Sequence, residues 1–334
     1  MKKILVTGGA GFIGSNFIRY MLKKHPDYEI VNLDKLTYCG NPKNLRDIEK
    51  NHNYSFIKGD IKDTEVVKEA MKGCDAIVNC AAESHVDRSI KNPNNFVRTN
   101  IHGLLTVLRV AKDYNVPRIV QIGTDEVYGS IEKGSFTEKS NLNPGSPYSA
   151  SKASADLMAL SFHTTYKLPA IIMRSSNNFG PYQYPEKIIP LFITNAIEDK
   201  KLPVYGDGMN VRDWLFVLDH CSAIDIVLHK GEIGEIYNVA KGDEISNIEL
   251  TRKILEYVGK SDDLIEFVED RPGHDRRYSM DASKIRAIGW ESKYEFEGAL
   301  KETVEWYKNN KAWWEPLRKS AEAARLHKSS KTKV

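Results

Sequence analysis

The 334-residue chain predicts an α/β fold, a doubly wound parallel sheet with a smaller C-terminal α/β domain. Three observations carry this. Short runs rich in β-branched residues recur at 2–7, 28–33, 54–57, 76–80 and 118–122, with helical periods at 65–71 and 100–113 between them; strand and helix alternating in this way is the mark of repeated βαβ units. A glycine-rich turn joins the first strand to the first helical pattern. Right-handed crossovers would then bring every strand end to one edge of the sheet, the edge where such folds bind ligands.

The elements follow in order. The first strand runs into Gly8, Gly11 and Gly14, ahead of a helix patterned on Phe17, Ile18, Met21 and Leu22. Glycines so spaced permit a tight turn, close approach of backbone N–H groups to a pyrophosphate and close helix packing, while the helix N-terminus favours negative charge. Between a strand and a helix, the pattern reads as a Rossmann-type dinucleotide loop rather than a plain turn. The second strand ends in Asp34, about 20 residues on, where a carboxylate can bind ribose hydroxyls and repel a 2′-phosphate, so NAD is expected over NADP. Lys35 beside it weakens that preference. Asp60 and the Ala81-Ala82 pair follow later strands. Each could border the cofactor.

The fifth strand leads into Thr124-Asp125-Glu126-Val127-Tyr128-Gly129. Alone, the acid pair reads as a solvated turn; at a ligand-binding sheet edge it becomes a candidate acid and base. After a Pro/Gly/Asn loop at 141–147, Tyr148 and Lys152 stand four apart on one helical face. A nearby ammonium is expected to lower the phenol pKa, so that the phenolate can take an alcohol proton. Residues 168–174 should rejoin the large sheet and 233–239 return to it, giving domains of about 1–180 and 181–316, with a basic tail at 317–334 expected to be flexible.

Composition sets the limits. At 41% hydrophobic, with no apolar run near the ~20 residues of a membrane span, the chain reads as a soluble protein. The N-terminal apolar run, broken at Gly8, is too short for a signal peptide, so the cytoplasm is the expected setting. Cys39, Cys74, Cys80 and Cys221 have neither zinc nor disulfide spacing, and no metal is expected. The net charge of +3 is concentrated in the tail, where six Lys/Arg from Arg318 onward oppose Glu322. No basic stripe on the fold calls for nucleic acid. His25, His52, His163 and His229 lack spacing partners and read as surface or capping residues, and Trp306, Trp313 and Trp314 as packing.

With the glycine loop and the Tyr148/Lys152 pair together, the chain resembles the extended short-chain dehydrogenase/reductase family. The blocks 81–89, 124–129, 175–183, 212–214 and 270–277 narrow the resemblance to the dTDP-glucose 4,6-dehydratases, from Lys3 to about Trp314. It implies NAD contacts at Gly8, Gly11, Phe12, Ile13, Gly14, Asp34, Lys35, Thr37, Asp60, Ile61, Ala81, Ala82, Thr99, Tyr148, Lys152 and Asn178. It implies dTDP-glucose contacts at Ser84, Thr124, Asn177, Lys187, Pro203, Tyr205, Arg212, Asn247, Asp270, Arg271 and His274, and a homodimer through the helices of 100–113 and 151–165. Arg212 could instead form a local ion pair with Asp213. His85 and His274 fall inside the matching blocks.

The implied reaction oxidises C4 of the hexose, eliminates water across C5 and C6, and reduces C6. Tyr148 with Lys152 and Thr124 would serve the first step; Glu126 as base and Asp125 as acid would serve the second. Sister 4-epimerases typically lack the acid pair, so an NAD-dependent 4-epimerase is the weaker alternative, as is the same dehydration on UDP- or CDP-glucose. A non-catalytic protein of this fold would be free to lose Tyr148, Lys152 or the acids. Two departures stand out: residues 239–247 lack the Gly-Gly pair usual in relatives, which unsettles Asn247, and Cys80 takes a place more often aromatic or Leu and reads as a small core residue.

Overall fold

A computed structural model describes residues 1–319. Seven strands form one fully parallel sheet: β1 (Lys3–Thr7), β2 (Glu29–Asp34), β3 (Tyr54–Lys58), β4 (Ala76–Asn79), β5 (Ile119–Ile122), β6 (Ala170–Ser175) and, after three short strands, β10 (Ile236–Val239). Their order across the sheet is β10-β6-β5-β4-β1-β2-β3. The winding reverses between β1 and β4, whose register sets Ile4 opposite Ala76 and Thr7 opposite Asn79. A crevice opens at such a reversal because the loops leave the two strands in opposite directions.

Both faces of the sheet are covered, which explains why its strands are continuous apolar runs with little alternation. On one face the helices Phe12–Lys24 and Val217–Lys230 pack over Ile4, Val6, Val78, Val120 and Ile171. On the other, Thr64–Met71, Leu104–Asp113 and Pro147–Tyr166 cover Leu5, Ile77, Ile119 and Ile172. The helical period expected from Asn100 starts with a wider π-type stretch, Val97–Gly103. Ile61 lies so close to Gly103 that a Cβ there would sit 2.4 Å from Ile61 Cδ1.

The C-terminal half has its own core of Phe179, Phe192, Trp214, Phe216, Leu300 and Trp314. It holds two small sheets: β11 (Glu244–Ser246), β9 (Val211–Phe216) and β7 (Asn177–Phe179), and β12 (Ile265–Val268) beside β8 (Leu202–Tyr205). The chain returns to the large sheet already at the Val217–Lys230 helix, ahead of the expected 233. Arg318, counted with the tail, is buried, where it donates to Thr194 O and pairs with Glu198 at 2.7 Å. The rest of the expected tail, 320–334, lies outside the described residues. Among the described residues, no helix is long and apolar enough to cross a membrane.

Candidate active site

The glycine loop is built by close approach. Gly8 has φ +68°, and a Cβ on it would stand 2.7 Å from the Ala81 backbone; on Gly14 it would stand 2.4 Å from Gly8 O. Gly8 N donates to Leu33 O and Cys80 N to Thr7 O, which binds the loop to the neighbouring strand ends. The helix Phe12–Lys24 has no acidic residue in its first turn and no side-chain cap. Its N-terminal N–H groups therefore stay open to an anion. That open N-terminus, above glycines with no room for a side chain, fits the diphosphate of a dinucleotide.

The loop lines one wall of a cavity of about 570 Å³. Of the residues expected to hold NAD, Gly8 to Gly14, Asp34, Lys35, Thr37, Asp60, Ile61, Ala81, Ala82, Thr99, Tyr148 and Lys152 all line it. Asp34 accepts from Ala10 N at 2.9 Å and Leu36 N at 2.7 Å, which orients its carboxylate at the end of β2. Lys35, the source of doubt about the cofactor, is drawn off to Asp60 at 2.8 Å. Burial favours the neutral Asp60 carboxyl, yet its bonds to Lys35 and Lys62 prevail and hold its pKa below the ordinary value.

Two expectations fall elsewhere. Asn178 does not reach the cavity; its amide is turned back on Ser176 O and Ser175 Oγ, because β7 ties this segment to β9. Ser84 lines the cofactor cavity, where its carbonyl accepts from Lys187 Nζ at 2.7 Å. Cys80 packs against the core as expected and also forms part of the cavity wall, its thiol pushed up to about 12 by burial.

A second cavity, also about 570 Å³, is shared between the two halves. It is lined by Asn177, Lys187, Pro203, Tyr205, Arg212, Asn247, Arg271 and His274 as expected, and by Glu126. The departure at 239–247 leaves Asn247 in place, since Ser246 caps the helix Asn247–Val258 and Asn247 N donates to Asn210 O. Asp270 stands behind this wall, holding His274 Nδ1 at 2.6 Å and Arg271 N at 2.8 Å. Arg212 makes no pair with Asp213, because neighbours on a strand face opposite ways. Its guanidinium donates to Val211 O and Asp275 O and stacks on Tyr278 at 4.2 Å. Burial lowers the Arg212 pKa and raises that of Asp213 to about 6.

Between the cavities, β5 ends in a single 3₁₀ turn, Asp125–Val127, capped by Thr124. Thr124 Oγ1 donates to Asp125 Oδ1 at 3.2 Å and accepts from Glu126 N at 3.4 Å. Asp125 is 3% exposed, and its Oδ2 is buried with no hydrogen-bond partner. Burial, then the charge of Glu126, raise its pKa well above the carboxylate range, only partly opposed by Arg212. Burial raises Glu126 too, but Lys187, Arg271 and Arg212 all favour its charged form. Adjacent in sequence and both raised by burial, the two acids differ in the charges around them. One is held protonated, while the other is surrounded by cations.

Tyr148 and Lys152 lie in the first two turns of the helix Pro147–Tyr166, started by Pro147 and a capping box of Ser146 and Ser149. Lys152 makes no hydrogen bond to the phenol in this structure. Burial and the Glu126 charge raise the Tyr148 pKa, while the Lys152 ammonium donates to Ile122 O at 2.5 Å. Burial lowers the Lys152 pKa against the pull of Asp156.

Sequence reasoning missed Glu186, which lines both cavities, and Tyr278 beneath Arg212. Glu186 had a signal in its neighbour Lys187; Tyr278 had none. It also gave His25 and His229 no partner. Both meet the buried Asp225, whose Oδ1 lies 3.0 Å from each ring, with Lys24 on Oδ2 at 2.6 Å. Among the described residues these three are the group whose ligand atoms lie close enough for a metal. Lys24 and the Asp225 backbone carbonyl, at 2.8 Å from His229 Nδ1, already engage them as a surface ion network.

The sequence model of the GDP-mannose 4,6 dehydratase family matches residues 5–303. A low-salt glycan biosynthesis protein of Haloferax volcanii is 54% identical over 91% of this chain and 98% of its own length. The dTDP-glucose 4,6-dehydratase of Bacillus anthracis, solved in complex with NAD, is 53% identical with a TM-score of 0.89, covering 95% of this chain and 100% of that one. DesIV, the dTDP-glucose 4,6-dehydratase of Streptomyces venezuelae, also solved with NAD, is 49% identical with a TM-score of 0.93, covering 94% and 99%.

Proposed function

The chain belongs to the GDP-mannose 4,6 dehydratase family, and from this we propose that it is a dTDP-glucose 4,6-dehydratase, a hydro-lyase that makes dTDP-4-keto-6-deoxyglucose with NAD. One observation carries the reading: a buried Asp125 held protonated beside a Glu126 faced by Lys187, Arg271 and Arg212. Elimination needs this asymmetry, one group to take a proton and its neighbour to give one. An epimerase does not.

The glycine loop and Asp34 would hold NAD, which when bound supplies a hydride acceptor for C4 and returns that hydride to C6. Tyr148 would take the C4 hydroxyl proton as the phenolate, the form that Thr124 favours and that burial and Glu126 oppose, ending the step as the phenol, and Thr124 would hold that oxygen in line. The C4 ketone so made acidifies the C5 proton. Glu126 removes it, and Asp125 delivers its proton to the C6 hydroxyl as that group departs as water. Glu126 then returns its proton to C5. Lys152, anchored on Ile122 O, holds a buried positive charge close beneath this site. Arg212, Arg271 and Asn247 on the far wall supply donors for a diphosphate.

The chain works as a homodimer in the cytoplasm on this reading, with Ile90, Val97, Leu157 and Tyr166 exposed where helices would meet. Incubation with dTDP-, UDP- and CDP-glucose deuterated at C4 tests the function. Deuterium transferred within the molecule to C6 of the dTDP sugar is the expected result; an epimer, or transfer in the UDP or CDP sugar alone, would sink it.

A further inference from the structure

The proposed chemistry makes one demand that the acid pair does not meet. The hydride leaves C4 before water is eliminated and must return to C6 of the same sugar. A reduced cofactor that escapes in the interval strands a keto sugar with no electrons to reduce it. Retention through the whole cycle is therefore part of the reaction, and a group that provides it should bridge the cofactor cavity opposite the glycine loop.

A cluster of three segments stands where the two cavities join: Glu186 lines both, Arg88 lines the second, and Tyr38 sits between Thr37 and Cys39 of the first. Arg88 donates from Nε and Nη2 to Glu186 Oε2, at 3.2 and 3.0 Å. Its guanidinium also lies 3.7 Å over the ring of Tyr38, in the loop that carries Lys35 and Thr37. Tyr38 packs edge-on against Tyr184, two residues before Glu186. The Tyr38 hydroxyl is buried without a well-formed hydrogen bond. Burial first, with the Glu186 charge adding to it, raises its pKa, so that the phenol stays neutral. The Glu186 side chain is 6% exposed. Thr37, Cys39, Tyr184 and Glu186 line the cofactor cavity together with Gly8 and Gly11.

The same segment faces the other cavity. Asp87, next to Arg88, receives the Tyr205 hydroxyl at 3.5 Å and has Arg271 at 3.8 Å. Lys187, next to Glu186, closes on Ser84 O. Tyr205, Arg271 and Lys187, which line the second cavity, thus contact or adjoin the segments that carry Arg88 and Glu186.

Resting on the dehydratase reading, we propose that Arg88, clasped by Glu186 and stacked on Tyr38, is the pin of a latch that closes the 35–40 loop over the nicotinamide dinucleotide and retains it between the two hydride steps. Arg88 is a positioning residue; it acts through Tyr38 on the flanking Thr37 and Cys39, which line the cofactor cavity. Guanidinium suits the task because its flat face stacks while its edge makes paired bonds to the carboxylate.

The test measures NAD loss directly. Wild-type protein and Arg88→Met, Arg88→Lys and Tyr38→Leu variants are passed over a desalting column, and the NAD left on the protein is followed over time. Arg88→Met and Tyr38→Leu should lose NAD roughly tenfold faster or more, the scale of a desolvated cation–π contact, with activity recovered by added NAD. Arg88→Lys, keeping charge without the flat face, should fall between. With C4-deuterated substrate and excess unlabelled NADH, Arg88→Met should carry less deuterium to C6 than the wild type. Should Arg88→Met fail to fold, Tyr38→Leu and Glu186→Gln carry the same reading. Variants that hold NAD as long as the wild type overturn the latch and leave the dehydratase intact. A wild type that neither binds NAD nor makes a keto-deoxy sugar overturns both.

Discussion

Asp125 and Asp156 are both buried carboxylates close to the same strand end, and burial raises the pKa of each. Their surroundings differ in one respect. Asp156 receives Arg174 Nε at 2.8 Å, and Arg174 in turn donates to the Tyr128 hydroxyl, which donates to Asn238 Oδ1. Asp125 touches a hydroxyl and no cation; its nearest charged neighbour in sequence is another carboxylate. The first arrangement joins the helix Pro147–Tyr166 to the sheet. The second keeps a proton available. Burial alone makes neither a structural nor a chemical acid; the placement of the cation decides.

The largest effects should come from breaking the chemical side of this comparison. Asp125→Asn and Glu126→Gln are each expected to slow elimination by roughly 10²–10⁴-fold while C4 oxidation, followed as transient NADH absorbance, stays within a small factor. Equal loss of both steps would refute the division of roles. The same variants test the pH limbs. Because its pKa is raised, Asp125 donates below that value, and elimination is lost as pH rises through it. Glu126, raised less and opposed by cations, fails as pH falls through its own pKa. The basic limb should disappear in Asp125→Asn and the acidic limb in Glu126→Gln.

The structural side should break differently. Asp156→Ala leaves Arg174 buried and unpaired, a loss on the order of 3–5 kcal/mol, seen as a lower midpoint in urea. Asp125→Asn, which removes a group costly to ionise in the fold, should leave that midpoint unchanged or higher. Asp156→Ala should also lower the Lys152 pKa further, since Asp156 is the charge that supports it.

A third carboxylate sets the lower end of the scale. Asp225, tied to Lys24, His25 and His229, has its pKa lowered to about 2, its bonds to His229 and Lys24 prevailing over burial. A depressed acid contributes stability above its unfolded pKa of about 3.9, lost as pH falls towards 2. His229, raised by Asp225, contributes below its unfolded pKa of about 6.5, lost as pH rises through the raised value. The network should be strongest between those limits. With partly exposed partners screened by solvent, Asp225→Asn should cost about 1 kcal/mol at most, read as a drop of a few degrees in Tm at pH 5 that shrinks at pH 9.

Much of the cofactor half could be read directly because its contacts lie near one another in the chain. A strand, three glycines and an acid about 20 residues on suffice when backbone geometry makes the site. The Asp125-Glu126 and Tyr148/Lys152 pairs were legible as residues for the same reason. What the local pattern could not supply was the partner of each. Lys152 was expected on the phenol and rests on Ile122 O; Arg212 had Asp213 as its sequence neighbour and lies on Tyr278.

The sequence by itself determined the alternation of strands and helices, the edge at which ligands bind and the residue types at that edge, since these follow from period, turn chemistry and short spacing. Only the tertiary structure decided which carboxylate keeps its proton, which cations face Glu126, and that Arg88, Glu186 and Tyr38, up to 148 positions apart, meet where the two cavities join. The physical reason is that charge and desolvation act through space. Residues distant along the chain set the energy of a proton on Asp125, and the fold alone brings them within reach.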